Sequence, residues 1–153
     1  MAESWKSWFA RRAFNLFPAY WSSGGVITYI AADWCEMKVK VPLKLRTRNY
    51  VGTIFGGSMY GAVDPIYMIM LIRVLGDAYI VWDKAASIRF KKPGRSTLYA
   101  TFKLEVEELA TIRQLTTEQP SIDRTYTVEL VDQAGVVHAT IDKVIYIKRK
   151  SPD

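Results

Sequence analysis

Cysteine and histidine are almost missing from this chain: in 153 residues there is one of each, Cys35 and His138. A single cysteine excludes an internal disulfide and suits a reducing compartment, so a cytoplasmic setting is expected. One Cys and one His do not make the usual zinc set, so no metal is expected, and no sequence motif calls for a cofactor. Neither Ser58 nor Ser87 has a histidine near it in the chain, which argues against a Ser–His nucleophile. No secretory leader is expected either: the first residues carry Trp5, Lys6 and Arg11, with no apolar run leading to a small-residue cleavage site. Runs of five or more basic residues are absent although the net charge is +6. Dispersed positive charge argues against nucleic acid and leaves small phosphorylated molecules as the natural anionic partners.

Charge itself is scarce in one place. Between Arg48 and Arg73 the only charged residue is Asp64. The apolar run from Gly56 to Ile72 is marginal in length for a membrane span and is interrupted by Gly57, Gly61, Asp64 and Pro65, so no membrane partner is expected. A lone carboxylate among apolar side chains costs free energy unless it is partnered or used.

What is present in quantity is apolar and aromatic: half the residues are hydrophobic, with five Trp, nine Tyr and six Phe. That suffices for one well-filled domain over 1–153, and it suggests a self-association surface or an apolar ligand pocket besides the core. Residues 4–17 read as a helix capped by Ser4 and stopped by Pro18, with an apolar face of Trp5, Trp8, Phe9, Ala13, Leu16 and Phe17 expected to pack on the domain, the alternative being a basic amphipathic helix that touches membrane through Trp5, Trp8 and Phe9; the N-terminal helical segment is set at 1–19. Residues 21–25 read as a loop. Strands follow at 26–32 and 35–41. A long apolar helix over 57–75 comes next, closed by Gly76-Asp77. Further strands are expected at 79–90, 98–106, 126–130 and 136–148, with a hairpin turn at 132–135. The polar stretch 107–119 is either a short helix or an insertion. Short connections favour an antiparallel sheet, and the long helix is its natural cover.

The glycines entering that helix carry chemistry. A helix starting at Gly56-Gly57 leaves its first N–H groups unpaired at the positive end of the helix dipole. Such groups can hold an oxyanion that forms when a carbonyl is attacked, each donor being worth ~3 kcal/mol of barrier. Asp64 lies two turns further and returns to the same side of the helix. Pro65 removes one helix hydrogen bond and kinks the helix at that point. Asn49 has an amide free to bond either a carboxylate or its own loop. Arg89, Lys91, Lys92 and Arg95 cluster at one strand end, as a phosphate grip or as a solvated edge.

The layout, with Asn49, Gly52, Thr53, Phe55, Gly56, Gly57 and Asp64 in this spacing, resembles the hotdog-fold thioesterase superfamily. Phenylacetic-acid-pathway acyl-CoA thioesterases open this helix with Asn-x-x-Gly-x-x-His-Gly-Gly and carry an acidic residue on it. Asn49, Gly52, Gly56, Gly57 and Asp64 fall on those positions, and Phe55 stands where the histidine sits. The Phe-Gly-Gly form followed by Asp-Pro, together with Trp82–Ala86 and Phe90–Gly94, is similar to a branch of that superfamily known as a domain of unknown function.

The resemblance implies an α+β hotdog fold, a curled antiparallel sheet wrapped around one long central helix, here with an extra N-terminal helix. It implies a hydrolase acting on an acyl-CoA or related acyl thioester. Asp64 would be the general base or nucleophile, with Gly57 and Asn49 catalytic beside it. Gly56, Phe55, Thr53, Lys84, Arg89, Lys91 and Lys92 would bind substrate. A homodimer, with a tetramer as the further option, would join sheets edge to edge, so that each site draws on both subunits. A hydratase of this fold needs its histidine near the central helix, where His138 on the last strand does not belong. Because Phe55 replaces the histidine, the alternative is a non-catalytic hotdog protein binding an acyl ligand or acyl carrier.

Overall fold

The computed structural model describes residues 2–151. Met1, Pro152 and Asp153 of the expected single-domain span lie outside the described residues. Eleven elements follow in the order α1 (Trp5–Leu16), α2 (Pro18–Ser23), β1 (Val26–Ile30), β2 (Glu36–Val41), α3 (Gly56–Val63), α4 (Ile66–Leu75), β3 (Tyr79–Phe90), β4 (Leu98–Lys103), α5 (Val106–Glu118), β5 (Ile122–Val131) and β6 (Val137–Arg149). The six strands form one antiparallel sheet in the order β1-β2-β4-β5-β6-β3.

Alternation along the strands builds the inner face. Met37, Val39 and Val41 of β2, Leu98, Ala100 and Phe102 of β4, and Ile141, Ile145 and Ile147 of β6 are all buried. They close on Met59, Ala62, Val63, Ile66, Met70 and Leu71 of α3 and α4. Gly56–Leu75 has the length and hydropathy of a membrane span. Its apolar surface is taken up as the helix inside the curled sheet, which explains why it is apolar nearly all round. The α+β hotdog architecture expected from the sequence is the one found.

Three details differ from the sequence reading or resolve it. Pro18 ends α1 but also begins α2, because a proline at the first helical position lacks only an N–H that would be unpaired anyway. The stretch 107–119 is the helix α5, held to β5 by Glu108, which accepts from Arg124 at 2.6 and 2.9 Å and from the Tyr126 hydroxyl at 2.8 Å. These bonds and the Arg124 charge outweigh desolvation and hold the Glu108 carboxyl below its usual range.

Most different is α1. Its inward residues are polar: Ser7 is fully buried, and Asn15 bonds both backbone groups of Ile27 at 2.8 Å each. Glu3, just before the helix, accepts from the Ile30 amide and from Arg11. α1 therefore satisfies the open edge of β1, and a sheet edge needs hydrogen-bonding partners rather than apolar ones. Trp5, Trp8, Phe9, Leu16 and Phe17, the face expected to pack on the domain, point to solvent instead.

The opposite edge has no such cover. Among the described residues β3 pairs as a strand only with β6, and none of its residues is buried.

Candidate active site

The central helix is broken where the sequence pairs an acid with proline. α3 ends at Val63, Asp64-Pro65 forms a turn, and α4 begins at Ile66. Gly25 lies so close that a Cβ there would meet the Ala62 Cβ at 2.5 Å, and this approach lets the Tyr20 hydroxyl donate to the Ala62 carbonyl at 2.9 Å. The α2 segment is thereby seated beside the break. Between them lies an apolar pocket of about 400 Å³, lined by Phe14, Phe17, Tyr20, Ile27 and Met68, with Asp64 as its one acidic group.

Asp64 is anchored through one oxygen. Its Oδ1 accepts from the Tyr60 hydroxyl at 2.6 Å, one helical turn back, and from the Lys143 ammonium. Its Oδ2 has no partner among the described residues. Lys143 is 1% exposed at the side chain, whereas Asp64 is 39% exposed. The Lys143 Nζ also sits 2.9 Å from Asp83 Oδ1, an ion-pair contact without hydrogen-bond alignment, and donates to the Tyr60 hydroxyl at 3.4 Å.

A bulge explains why Asp83 faces inward. Asp83 opposes Ile145 and Ala85 opposes Val144, so Lys84 is one extra residue in β3. The extra residue switches the phase of the strand, so Asp83 shares the inner face with Ala86 and Ile88 further along.

Burial sets the charges of this cluster. Desolvation is the strongest influence on Lys143 and pushes its pKa down, but Asp64 and Asp83 together outweigh it and hold it above the usual lysine value. The ammonium thus stays charged although it is buried. Desolvation raises the Asp83 pKa, Lys143 partly offsets this, and the nearby Asp64 charge adds to it. The Tyr60 hydroxyl is pushed up by burial and by its bond to Asp64, so it remains a donor. Lys143, Asp83 and Tyr60 had not been singled out from sequence. The signal for Lys143 was its phase: it takes an inward position between Ile141 and Ile145 on an alternating strand.

The remaining expected residues gather elsewhere. Asn49, Thr53, Gly56, Lys91 and Lys92 line a second cleft of about 370 Å³, with Phe90 at its side. The Asn49 side chain organises its own loop, accepting from the Val51 and Thr53 amides and donating to the Thr53 hydroxyl. The Gly56 and Gly57 amides have no partner among the described residues; the first helical bonds run from Ser58 and Met59 to the Phe55 carbonyl. The Phe55 ring lies over Gly57, where a Cβ would come within 2.3 Å of it, and the Phe90 ring lies over Gly56. Lys84 and Arg89 are not brought to this cleft. They pair with Asp123 and Asp142 on the outer face of the sheet. His138 meets the Pro93 carbonyl and the Asp132 carboxylate with its two ring nitrogens and has no contact with the Asp64 cluster among the described hydrogen bonds. Within one chain, then, Asp64 and Gly56 line different cavities.

The family model described as Domain of unknown function (DUF4442) matches residues 6–147. No curated protein matches the chain in sequence. Among solved structures, PA5026 of Pseudomonas aeruginosa, a protein of unknown function, superposes with a TM-score of 0.83 at 15% identity, covering 98% of this chain and 100% of that one. The thioesterase HI1161 of Haemophilus influenzae superposes with a TM-score of 0.68 at 12% identity, covering 97% and 93% of the two chains. For the thioesterase PA1618 of P. aeruginosa, studied as a mutant, the TM-score is 0.69 at 10% identity, with 93% and 94% covered. At these identities the likeness is one of fold.

Proposed function

Because the chain belongs to the DUF4442 family and has the fold of hotdog thioesterases, we propose that it hydrolyses an acyl-CoA or related acyl thioester. The observation that carries this reading is Asp64: an acidic group at the break of the central helix, oriented through Oδ1 and facing an apolar pocket with Oδ2 free. In this reading the acyl chain lies among Phe14, Phe17 and Met68, and its carbonyl reaches Asp64. Oδ2 takes a proton from water as the water oxygen attacks the carbonyl carbon. The C–S bond then breaks and the proton passes to the departing thiolate, regenerating the carboxylate. Direct attack by Oδ2, with an anhydride hydrolysed in a second step, needs the same placement. In either route the Lys143 ammonium holds Oδ1 and leaves Oδ2 to react.

The oxyanion donors of the reading, the Gly56 and Gly57 amides, come from a second copy of the chain. The support is the β3 edge, which is long, unburied and uncovered. Asp83, beside Asp64, lies near the start of this strand, and Phe90, beside Gly56, at its end. Antiparallel pairing of two β3 strands about Ala86-Ser87 sets Asp83 of one copy across from Phe90 of the other. Each Asp64 then faces the partner's glycine turn, and Lys91 and Lys92 offer charge for the phosphates of coenzyme A.

A panel of acyl thioesters assayed with wild type and Asp64→Asn tests the reading. Wild type is expected to turn over at least one member, and the variant to lose ~100-fold or more in kcat. Equal, background-level rates would sink it. One observation favours a second reading, an acyl-binding protein without turnover: the Phe55 ring covers Gly57, where an oxyanion would bind. Purified protein carrying an acyl ligand by mass spectrometry, with no cleavage of any thioester, would decide for it.

A further inference from the structure

α1 is an amphipathic helix turned inside out. At 100° per residue, Ser7, Arg11, Phe14 and Asn15 fall on one side, and Trp5, Phe9, Arg12 and Leu16 on the other. The first side faces the protein, where Ser7 is fully buried and Asn15 holds the β1 edge. On the second, Trp5 is 71%, Phe9 62% and Leu16 75% exposed, flanked by exposed Trp8 and continued by exposed Phe17. So much aromatic surface on one helix face marks a contact site.

The charges identify the partner. The exposed cations are interleaved with the rings: the Lys6 ammonium lies 5.8 Å from the Trp5 ring and the Arg12 guanidinium 4.6 Å from the Trp8 ring. The only acidic residue in the first 32 positions is Glu3, and both its oxygens are bonded to Arg11. The face therefore offers tryptophan, phenylalanine and free positive charge, with no free negative charge. Self-contact through it would set Lys6 and Arg12 against their own copies. An anionic lipid surface instead supplies phosphates for the cations and an interfacial zone in which tryptophan rings are favoured. A three-turn helix lying flat suits insertion into the headgroup region rather than a span.

We propose that α1 docks this protein on anionic lipid bilayers, against the sequence-based expectation of no membrane partner. Phe17 both continues the exposed stripe and lines the apolar pocket that holds Asp64. Docking would therefore set the pocket mouth at the bilayer surface, within reach of acyl chains partitioned there. The docking stands whether or not the chain is a hydrolase, because its readout needs no turnover.

The test is co-sedimentation of the full chain with vesicles of phosphatidylcholine alone and with vesicles also containing phosphatidylglycerol. Wild type is expected to pellet with the anionic vesicles and to shift its tryptophan emission to shorter wavelength. Trp5→Ala/Phe9→Ala/Leu16→Ala should remain in the supernatant, and Lys6→Glu/Arg12→Glu should bind about tenfold or more weakly. All three proteins should give the same circular dichroism spectrum and the same rate on a short soluble thioester that wild type cleaves. Wild type left unbound by both vesicle types overturns the proposal, as does unchanged binding by the triple variant. A triple variant that sediments as a smaller oligomer than wild type without lipid would make the face a self-interface and likewise overturns it.

Discussion

One ammonium between two carboxylates sets the chemistry of single residues in this site. Lys143 is buried, bonded to Asp64 and in contact with Asp83, and a charge in that position is tolerated only because both partners are present. Lys143→Met keeps the bulk of the side chain but leaves the carboxylates facing each other. The loss expected in urea unfolding is roughly 2–3 kcal/mol, below the ~3–5 of a fully enclosed pair, because Asp64 is open to water and solvent screens part of the effect. The sign of the pH effect follows from Lys143 itself: against desolvation, Asp64 and Asp83 hold its pKa above the usual lysine value. The stability it contributes is therefore present below the ordinary lysine range and is lost as pH rises through the raised value. The advantage of wild type over Lys143→Met in urea unfolding should shrink in strongly alkaline solution; an advantage unchanged there would deny the ammonium this role. Asp64 was legible in the sequence because it is the one charge in an apolar run. Lys143 was not, because a lysine reads as solvent-facing even where its phase sets it among Ile141, Ile145 and Ile147.

For whole elements, legibility followed periodicity and failed where hydrogen bonding outranked it. The strands and the central helix declare themselves by alternation or by continuous apolar sequence, and both were found close to their expected places. α1 declares an apolar face just as clearly, yet that face points outward. Periodicity reveals the two sides of a helix but not which side the protein needs. Here the need is set by β1, whose Ile27 N–H and C=O would otherwise meet a helix with no partner to give. Asn15→Ala is therefore expected to destabilise the protein by about 1–3 kcal/mol, the cost of stranding partly buried backbone groups. Exchange of the Ile27 amide, followed by NMR, should speed up far more than exchange along β6. Equal slowing or quickening at both strands would deny α1 its role as an edge cap. Pro18 stops α1 as its sequence implies, but α2 went unread for a similar reason: proline ends a helix on its N-terminal side and can also begin one on its C-terminal side, and here it does both.

For the molecule as a whole, the two edges of the sheet are treated differently. β1 is capped within the chain, while β3 is long and bare. A bare edge of this length invites another strand. On the proposed pairing, one active site takes Asp64 from one copy and Gly57 from the other, which mixed dimers can test. Asp64→Asn removes the carboxylate; Gly57→Val places a branched side chain against the Phe55 ring and screens the amide. Each variant alone is expected to be inactive. Co-expressed with different tags at equal levels, the two chains pair at random, so half of the dimers are mixed. In a mixed dimer one site carries both lesions and the other carries neither. The mixture should then recover about a quarter of the wild-type rate, and mixed dimers isolated through both tags about half. If carboxylate and amides instead served the same chain's site, no combination would contain an intact site, and the mixture would stay as inactive as its parts.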